Sequence, residues 1–329
     1  MTSSKTERIL IAGANGMVGN SIYRSLLKRE KNSVSNKKEL LCPSRNDLDF
    51  TNYNLVEDWF RRFRPSIVII AAGKVGGIYA NKTYPADFLL NNLKIQTNLI
   101  EISRRYNVKK LLFLGSSTVY PKFAKQPMVE EELLNGYLER TSEFYSISKI
   151  AGIKLCESFR IQHSFNAICL IPPNLFGPKD NYHPQNSHVL PALIRKFVEA
   201  KENNLDSVTC WGTGDQLREF LYVDDLADAC LFALEKWDFN LKTAPKDKFG
   251  NKLSWLNVGS DIEISIRDLT NKISNMIDYK GEIIWDDKMP NGNQRKKLNS
   301  KRFNALGWEA KTSLDKGLEL TIEDFKKNK

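Results

Sequence analysis

The 329-residue sequence has no apolar run near the roughly 18 residues that a membrane-spanning helix needs. Its first residues, MTSSKTERILIAG, pass straight into a strand-like run without the apolar core of a secretory signal. These two absences predict a soluble, cytoplasmic protein with no membrane partner. Cysteine is scarce and scattered: Cys42, Cys156, Cys169, Cys210 and Cys230 form no C-x-x-C pair and mostly sit inside apolar runs. Buried free thiols are expected, and neither a metal site nor a disulfide framework. Basic residues outnumber acidic ones by 10, yet they are dispersed, and no RNA-binding signature or zinc-finger spacing accompanies them. The expectation is a solvated basic surface with a local phosphate-binding role for a few residues, and no nucleic-acid partner. Internal repeats and low-complexity segments are also missing.

What the chain does contain is enough apolar material, 41%, to fill a core, over a length that favours two lobes. RILIA at 8–12 runs into Gly13-Ala14-Asn15-Gly16-Met17-Val18-Gly19, and the helix-like spacing of Ile22, Leu26 and Leu27 follows. Strand, glycine turn and helix in this order let a backbone approach a pyrophosphate at a helix N-terminus; the plainer reading is a tight βα turn. A second strand, ELLCP at 39–43, ends in Ser44-Arg45, where an NAD-selective protein would often carry an acid. Arg45 is suited instead to a ribose 2′-phosphate, which points to NADP. Asp49 either hydrogen-bonds near the adenine or holds a turn.

SIVIIAA at 66–72 supplies a third strand, ending at Ala71 and Ala72 and leading to a small-residue loop, Gly73 to Ile78, at the sheet edge where ligands bind. A long helix is expected over 86–105, with its apolar stripe in the core and in part at a subunit interface. KLLFLG at 110–115 and AICLIP at 167–172 add two strands, and the proline-rich PPNLFGP then ends the parallel βαβ series. Shorter strands at 255–259 and 282–287 alternate with helices near 265–277 and 313–326, as in a smaller α/β lobe, and 241–252 reads as a surface loop.

The chemistry concentrates between Thr141 and Glu157, TSEFYSISKIAGIKLCE, which sets Tyr145 and Lys149 on one helix face. An ammonium beside a phenol is expected to lower the tyrosine pKa from about 10 and fit it for proton transfer. Ser116, Ser117 and Thr118 follow the 110–115 strand, where serines are commonly turn formers. A serine there is also placed to bond the oxygen that Tyr145 would protonate.

On these residues the chain resembles the extended short-chain dehydrogenases/reductases, and among them the GDP-L-fucose synthase group, along nearly its whole length. The resemblance rests on AGANGMVG, AAGKVGGIYANKTYPADF, LGSSTVYPKFAKQPM, YSISKIAGIKLCE, PNLFGPKDN, NSHVLPAL and WGTGDQLREFLYVDDLA in the family's order. It implies an α/β fold: a Rossmann-type doubly wound parallel sheet over residues 1–172 with a return at about 219–260, and a smaller α/β GDP-sugar domain from 173–218 and 261–329. It further implies a homodimer. The implied activity is epimerisation at C3 and C5 of a GDP-4-keto-6-deoxy sugar, followed by reduction at C4 with NADP(H). Ser116, Tyr145 and Lys149 match the reductive triad, and His188 matches the acid of epimerisation. The implied cofactor residues are Gly13, Asn15, Gly16, Met17, Val18, Gly19, Arg45, Asp49, Ala71, Ala72, Lys149, Pro172, Asn174, Leu175 and His188. Lys196, Trp211, Arg218 and Arg295 fall where the family faces the nucleotide sugar.

One departure stands out. The family's proton-abstracting cysteine, two residues after the triad serine, is Thr118 here. A thiol with a pKa of about 8.5 is readily held as thiolate, whereas an alcohol is not. The expectation is a C4-reductase whose epimerase activity is lost or greatly weakened. Two alternatives stand beside it, a dedicated reductase of a GDP-4-keto-6-deoxy heptose or hexose, and a non-catalytic NADP-binding sensor or scaffold.

Overall fold

A computed structural model describes residues 6–31, 38–289 and 292–329. The first half alternates strands β1 (Glu7–Ala12), β2 (Lys38–Leu41), β3 (Ile67–Ile70), β4 (Lys110–Leu114) and β5 (Ala167–Ile171) with helices α1 (Met17–Lys31), α2 (Tyr53–Phe63), α3 (Ile78–Thr83), α4 (Pro85–Arg105) and α5 (Glu143–His163). The second half continues through β6 (Asn174–Phe176), α6 (Val189–Glu202), β7 (Ser207–Trp211), β8 (Leu217–Tyr222), α7 (Val223–Lys236), β9 (Trp255–Asn257), β10 (Glu263–Ser265) and α8 (Ile266–Ile277). It closes with β11 (Glu282–Asp286), β12 (Arg295–Lys296), α9 (Lys301–Asn304) and α10 (Leu314–Asn328).

Six strands form one parallel sheet in the order β2-β1-β3-β4-β5-β9. The last residues of β3, and nearly all of β4 and β5, are buried, which is why they read as continuous apolar runs rather than alternating ones. The chain leaves β1 for β2 on one side and then crosses to β3 on the other. The carboxyl ends of β1 and β3 therefore flank the switch point where open α/β sheets hold ligands.

A second apolar cluster gathers Phe176, Leu193, Phe197, Phe220, Leu269, Ile273, Leu318 and Phe325 around β6, β8, α6, α8 and α10. Here β8 pairs with β6 and β12 in parallel and with β10 antiparallel, while β7 pairs with β11. Leu298, Phe303 and Trp308 join the first cluster, so the chain returns to the large sheet after β12. Buried Glu219 fastens this crossing, accepting the backbone N–H of Asp261 at 3.0 Å and of Leu298 at 2.9 Å. Burial lifts its carboxyl pKa to about 7. The surface segment at 241–252 is a compact turn closed by Asp247, which accepts the N–H of Phe249 and of Asn251. Among the described residues no helix is long and apolar enough to cross a membrane.

The glycine turn after β1 is packed without spare room. A side chain at Gly13, which has φ +90°, would meet the Ala72 nitrogen at 2.7 Å, and one at Gly19 would meet the Gly13 carbonyl oxygen at 2.1 Å. The turn, the start of α1 and the loop after β3 therefore fit together only with glycine at both places. We predict that Gly19→Ala, which forces backbone apart, lowers stability by roughly 1–3 kcal/mol in urea unfolding. A midpoint equal to that of the parent protein would contradict this packing.

Candidate active site

β4 delivers the site's first group. Its chain runs through Gly115 into Ser116, whose extended backbone (φ −159°, ψ 145°) caps a short 3-10 turn from Ser117 to Val119. The Ser116 hydroxyl accepts the Thr118 N–H at 3.4 Å and lies 3.2 Å from the Thr118 hydroxyl oxygen. Helix α5 packs on this turn and carries Tyr145, whose phenol pKa Ser116 acts to lower. One turn further along α5, the buried Lys149 ammonium donates to the Leu114 carbonyl at 2.9 Å and stands 5.9 Å from the centre of the Tyr145 ring. Ser116, Tyr145 and Lys149 are thus brought together where β4 ends.

The electrostatics differ from the sequence expectation. Burial pushes the Tyr145 phenol up to about 12, and only the Ser116 hydrogen bond pulls against it. Lys149 does not lower it, because the ammonium is turned to the Leu114 carbonyl and is itself depressed to about 8 by burial. Tyr145 therefore keeps its proton at neutral pH, which suits a proton donor.

Lys149 also faces the crevice at the switch point: a methyl group on Gly73 would lie 3.8 Å from its Nζ. The rest of that crevice is the turn from Gly13 through Asn15 and Gly16 to Met17, Val18 and Gly19 at the N-terminus of α1, with Ala71 and Ala72 opposite. The close backbone approach and the helix end fit a dinucleotide's pyrophosphate. Arg45 is exposed just beyond β2, as a 2′-phosphate partner should be. Asp49 holds a turn, accepting from the N–H and hydroxyl of Thr51 at 2.9 and 2.8 Å. Pro172 anchors the serine turn through its carbonyl, which accepts the Ser117 N–H.

Beside this crevice opens a pocket of about 280 Å³. Thr118, Asn174, His188, Lys196, Trp211 and Arg218 all line it, so Thr118 joins the pocket to the serine and tyrosine. Leu175 sits next to Asn174 on β6 and is outside the lining. Lys196 donates to the Thr209 carbonyl at 2.7 Å and stands 5.9 Å from the Trp211 ring centre. His188 stands just before α6 as an exposed residue on the pocket wall. Desolvation there, with the Lys296 charge nearby, lowers its pKa. Its loop packs against the glycines after β3, with the Gly77 N–H donating to the Asn186 carbonyl at 2.9 Å.

Arg295 is the predicted residue that the pocket does not receive. It lies on β12 with its guanidinium paired to both oxygens of Glu263 at 2.8 Å, and its neighbour Lys296 lines the pocket instead. Successive strand residues point to opposite faces, and Lys296 stands in register with Arg218 across the parallel pair. Burial, with Arg218 adding to it, lowers Lys296 to about 7. The sequence signal for Lys296 was only its place beside Arg295 in a basic run. Burial likewise lowers Arg218 to about 10. Trp285 and Glu139, also unforeseen, line the same pocket, and Glu139 is its one carboxylate among the described residues.

The family model for the NAD dependent epimerase/dehydratase family matches residues 9–243. The chain is 47% identical to GDP-L-fucose synthase 1 of Arabidopsis thaliana over 99% of this chain and 95% of that one. It is 45% identical to GDP-L-fucose synthase of Escherichia coli, over 98% of this chain and 97% of that one. Among solved structures, a GDP-mannoheptose C4 reductase from Campylobacter jejuni with NADP bound matches with a TM-score of 0.86 at 34% identity, covering 98% of this chain and 99% of that one.

Lys149 supplies a test that needs no substrate. Its folded pKa of about 8 lies below the usual 10.4 or so, so between these values the unfolded chain holds a proton that the folded one has released. Stability therefore gains from this group as pH rises from about 8 to 10. Replacing it by Met removes a buried charge, so Lys149→Met is expected to melt higher than the parent at pH 7, with a smaller rise in melting temperature towards pH 10. A lower melting temperature at pH 7 would contradict the assignment of Lys149 as a costly buried cation.

Proposed function

The chain belongs to the NAD dependent epimerase/dehydratase family, in the GDP-L-fucose synthase group of the extended short-chain dehydrogenases/reductases, and from this premise we propose that it is an NADPH-dependent C4-reductase of a GDP-4-keto-6-deoxy sugar that lacks the group's epimerase activity. The observation that carries the proposal is Thr118, which occupies the junction of pocket and triad with an alcohol that does not ionise at neutral pH.

The division of labour follows from the geometry. Lys196, Arg218 and Lys296 give the pocket the positive charge that a nucleoside diphosphate needs, and Trp211 offers a flat face for a base. Gly13, Gly16 and Gly19 shape the turn that holds the dinucleotide, and Arg45 selects the 2′-phosphate. Bound NADPH supplies the hydride that reaches C4. Tyr145 gives its proton to the C4 oxygen, Ser116 orients that oxygen, and Lys149 holds the ribose side of the crevice. Such a complete set of groups argues against a purely sensing role. We take the second apolar cluster as the core of the substrate lobe.

We also infer a cytoplasmic homodimer through α4 and α5, whose outer faces expose Leu90, Phe144, Ile147 and Ile161. Ile147→Asp on this face is expected to shift the protein from dimer to monomer in light scattering, and a monomeric parent would refute the inference.

A second reading is kept alive by Lys296, an amine with a pKa of about 7 in the pocket beside His188, which is a chemically competent base for the C3 and C5 protons. Reaction with NADPH and GDP-4-keto-6-deoxy-D-mannose in D₂O separates the two. The reductase reading predicts a sugar reduced at C4 without deuterium at C3 or C5, and gain of that deuterium in Thr118→Cys. Deuterium at both carbons with the parent protein would establish the bifunctional reading.

A further inference from the structure

Loss of the cysteine is only half of what Thr118 does. Its hydroxyl is 3.2 Å from the Ser116 oxygen, and its backbone N–H reaches the same oxygen at 3.4 Å. A serine hydroxyl has two acceptor lone pairs and one proton to give. With both lone pairs taken by Thr118, the proton of Ser116 is left for the side where α5 packs on the turn and carries Tyr145, whose phenol pKa Ser116 lowers. Lys149 adds no donor to the phenol here: its ammonium bonds the Leu114 carbonyl and stands 5.9 Å from the Tyr145 ring centre.

We propose that Thr118 is a positioning residue for reduction: its hydroxyl donates to Ser116 Oγ and thereby aims the single Ser116 proton at the side where the Tyr145 oxygen and the substrate oxygen meet. This extends the reductase reading and rests on it. In the step itself the hydride that bound NADPH would supply, on becoming NADP+, forms the C–H bond at C4, the carbonyl π pair takes the Tyr145 proton, and a phenolate remains on Tyr145. The Thr118 and Ser116 protons stay on their own oxygens, and the Ser116 proton stabilises the new phenolate. A cysteine at this position is a much weaker donor and sets no such order. Exchange of thiol for alcohol therefore removes a base and at the same time adds a hydrogen bond to the reductive site.

The experiment compares the parent with Thr118→Val, which keeps the shape and drops the hydroxyl, and Thr118→Ser, which restores it. In NADPH-dependent reduction of GDP-4-keto-6-deoxy-D-mannose, the valine variant is expected to lose about fivefold or more in kcat, the worth of about one hydrogen bond, with KM little changed. The alkaline limb of its kcat profile should move to higher pH, since the phenolate loses a donor, and the serine variant should restore both. A second readout uses neither substrate nor cofactor. In protein labelled with ¹³C at tyrosine Cζ, the Tyr145 signal, assigned by its loss in Tyr145→Phe, should shift in the valine variant and return in the serine variant. Parent-like kcat, limb and Tyr145 signal in Thr118→Val would overturn the proposal, as would failure of Thr118→Ser to restore them. If the parent itself consumes no NADPH with this sugar, the reductase reading fails for it, and the Tyr145 signal still decides the relay.

Discussion

A buried ammonium bonded, among the described residues, to one backbone carbonyl is the constraint on which the rest of the site depends. Lys149 is held between the ends of β3 and β4, near Gly73 and bonded to Leu114, and burial alone brings its pKa down to about 8. Such a placement is unfavourable for the fold and is sustained only because β3, β4 and β5 make a deep apolar sheet around it. In return it fixes the rotation of α5. With Lys149 turned inward, Tyr145, four residues earlier, faces the Ser116 turn. The glycines at 13, 19 and 73 leave the backbone close enough for the crevice to open beside the same lysine.

Much of this was legible in the sequence because it is local. The apolar runs that became β1, β3, β4 and β5, the glycine spacing before α1, and the four-residue step from Tyr145 to Lys149 all express short-range rules of strand, turn and helix. Lys196, Trp211 and Arg218, drawn from three separate elements, do meet in one pocket. The misses are non-local. Arg295 and Lys296 belong to a strand of two residues whose facing is set only by its register with β8, and that pairing is fastened from afar by Glu219. The protonation of Tyr145 also escaped local reasoning. A charge four residues away predicts a lowered pKa, whereas burial, a property of the whole fold, raises it.

The two lobes separate two tasks that the sequence interleaves. On the proposed reading, the large sheet builds the crevice and the proton donor, and the smaller lobe supplies the cations and Trp211. Thr118 stands where they meet, lining the pocket with one side and touching Ser116 with the other. A change at that single position therefore acts on both tasks. On the proposed reading, the thiol chemistry of epimerisation goes while the hydroxyl array of reduction is completed.

The central claim is that Tyr145 and Lys149 serve hydride transfer to C4 of a GDP-linked keto sugar. Its most direct test is a single turnover with NADPH deuterated at nicotinamide C4 and GDP-4-keto-6-deoxy-D-mannose, followed by NMR of the sugar. The account predicts deuterium at sugar C4 with the parent protein and a loss of at least about a hundredfold in rate with Tyr145→Phe. No transfer with the parent, or an undiminished rate with Tyr145→Phe, would contradict it.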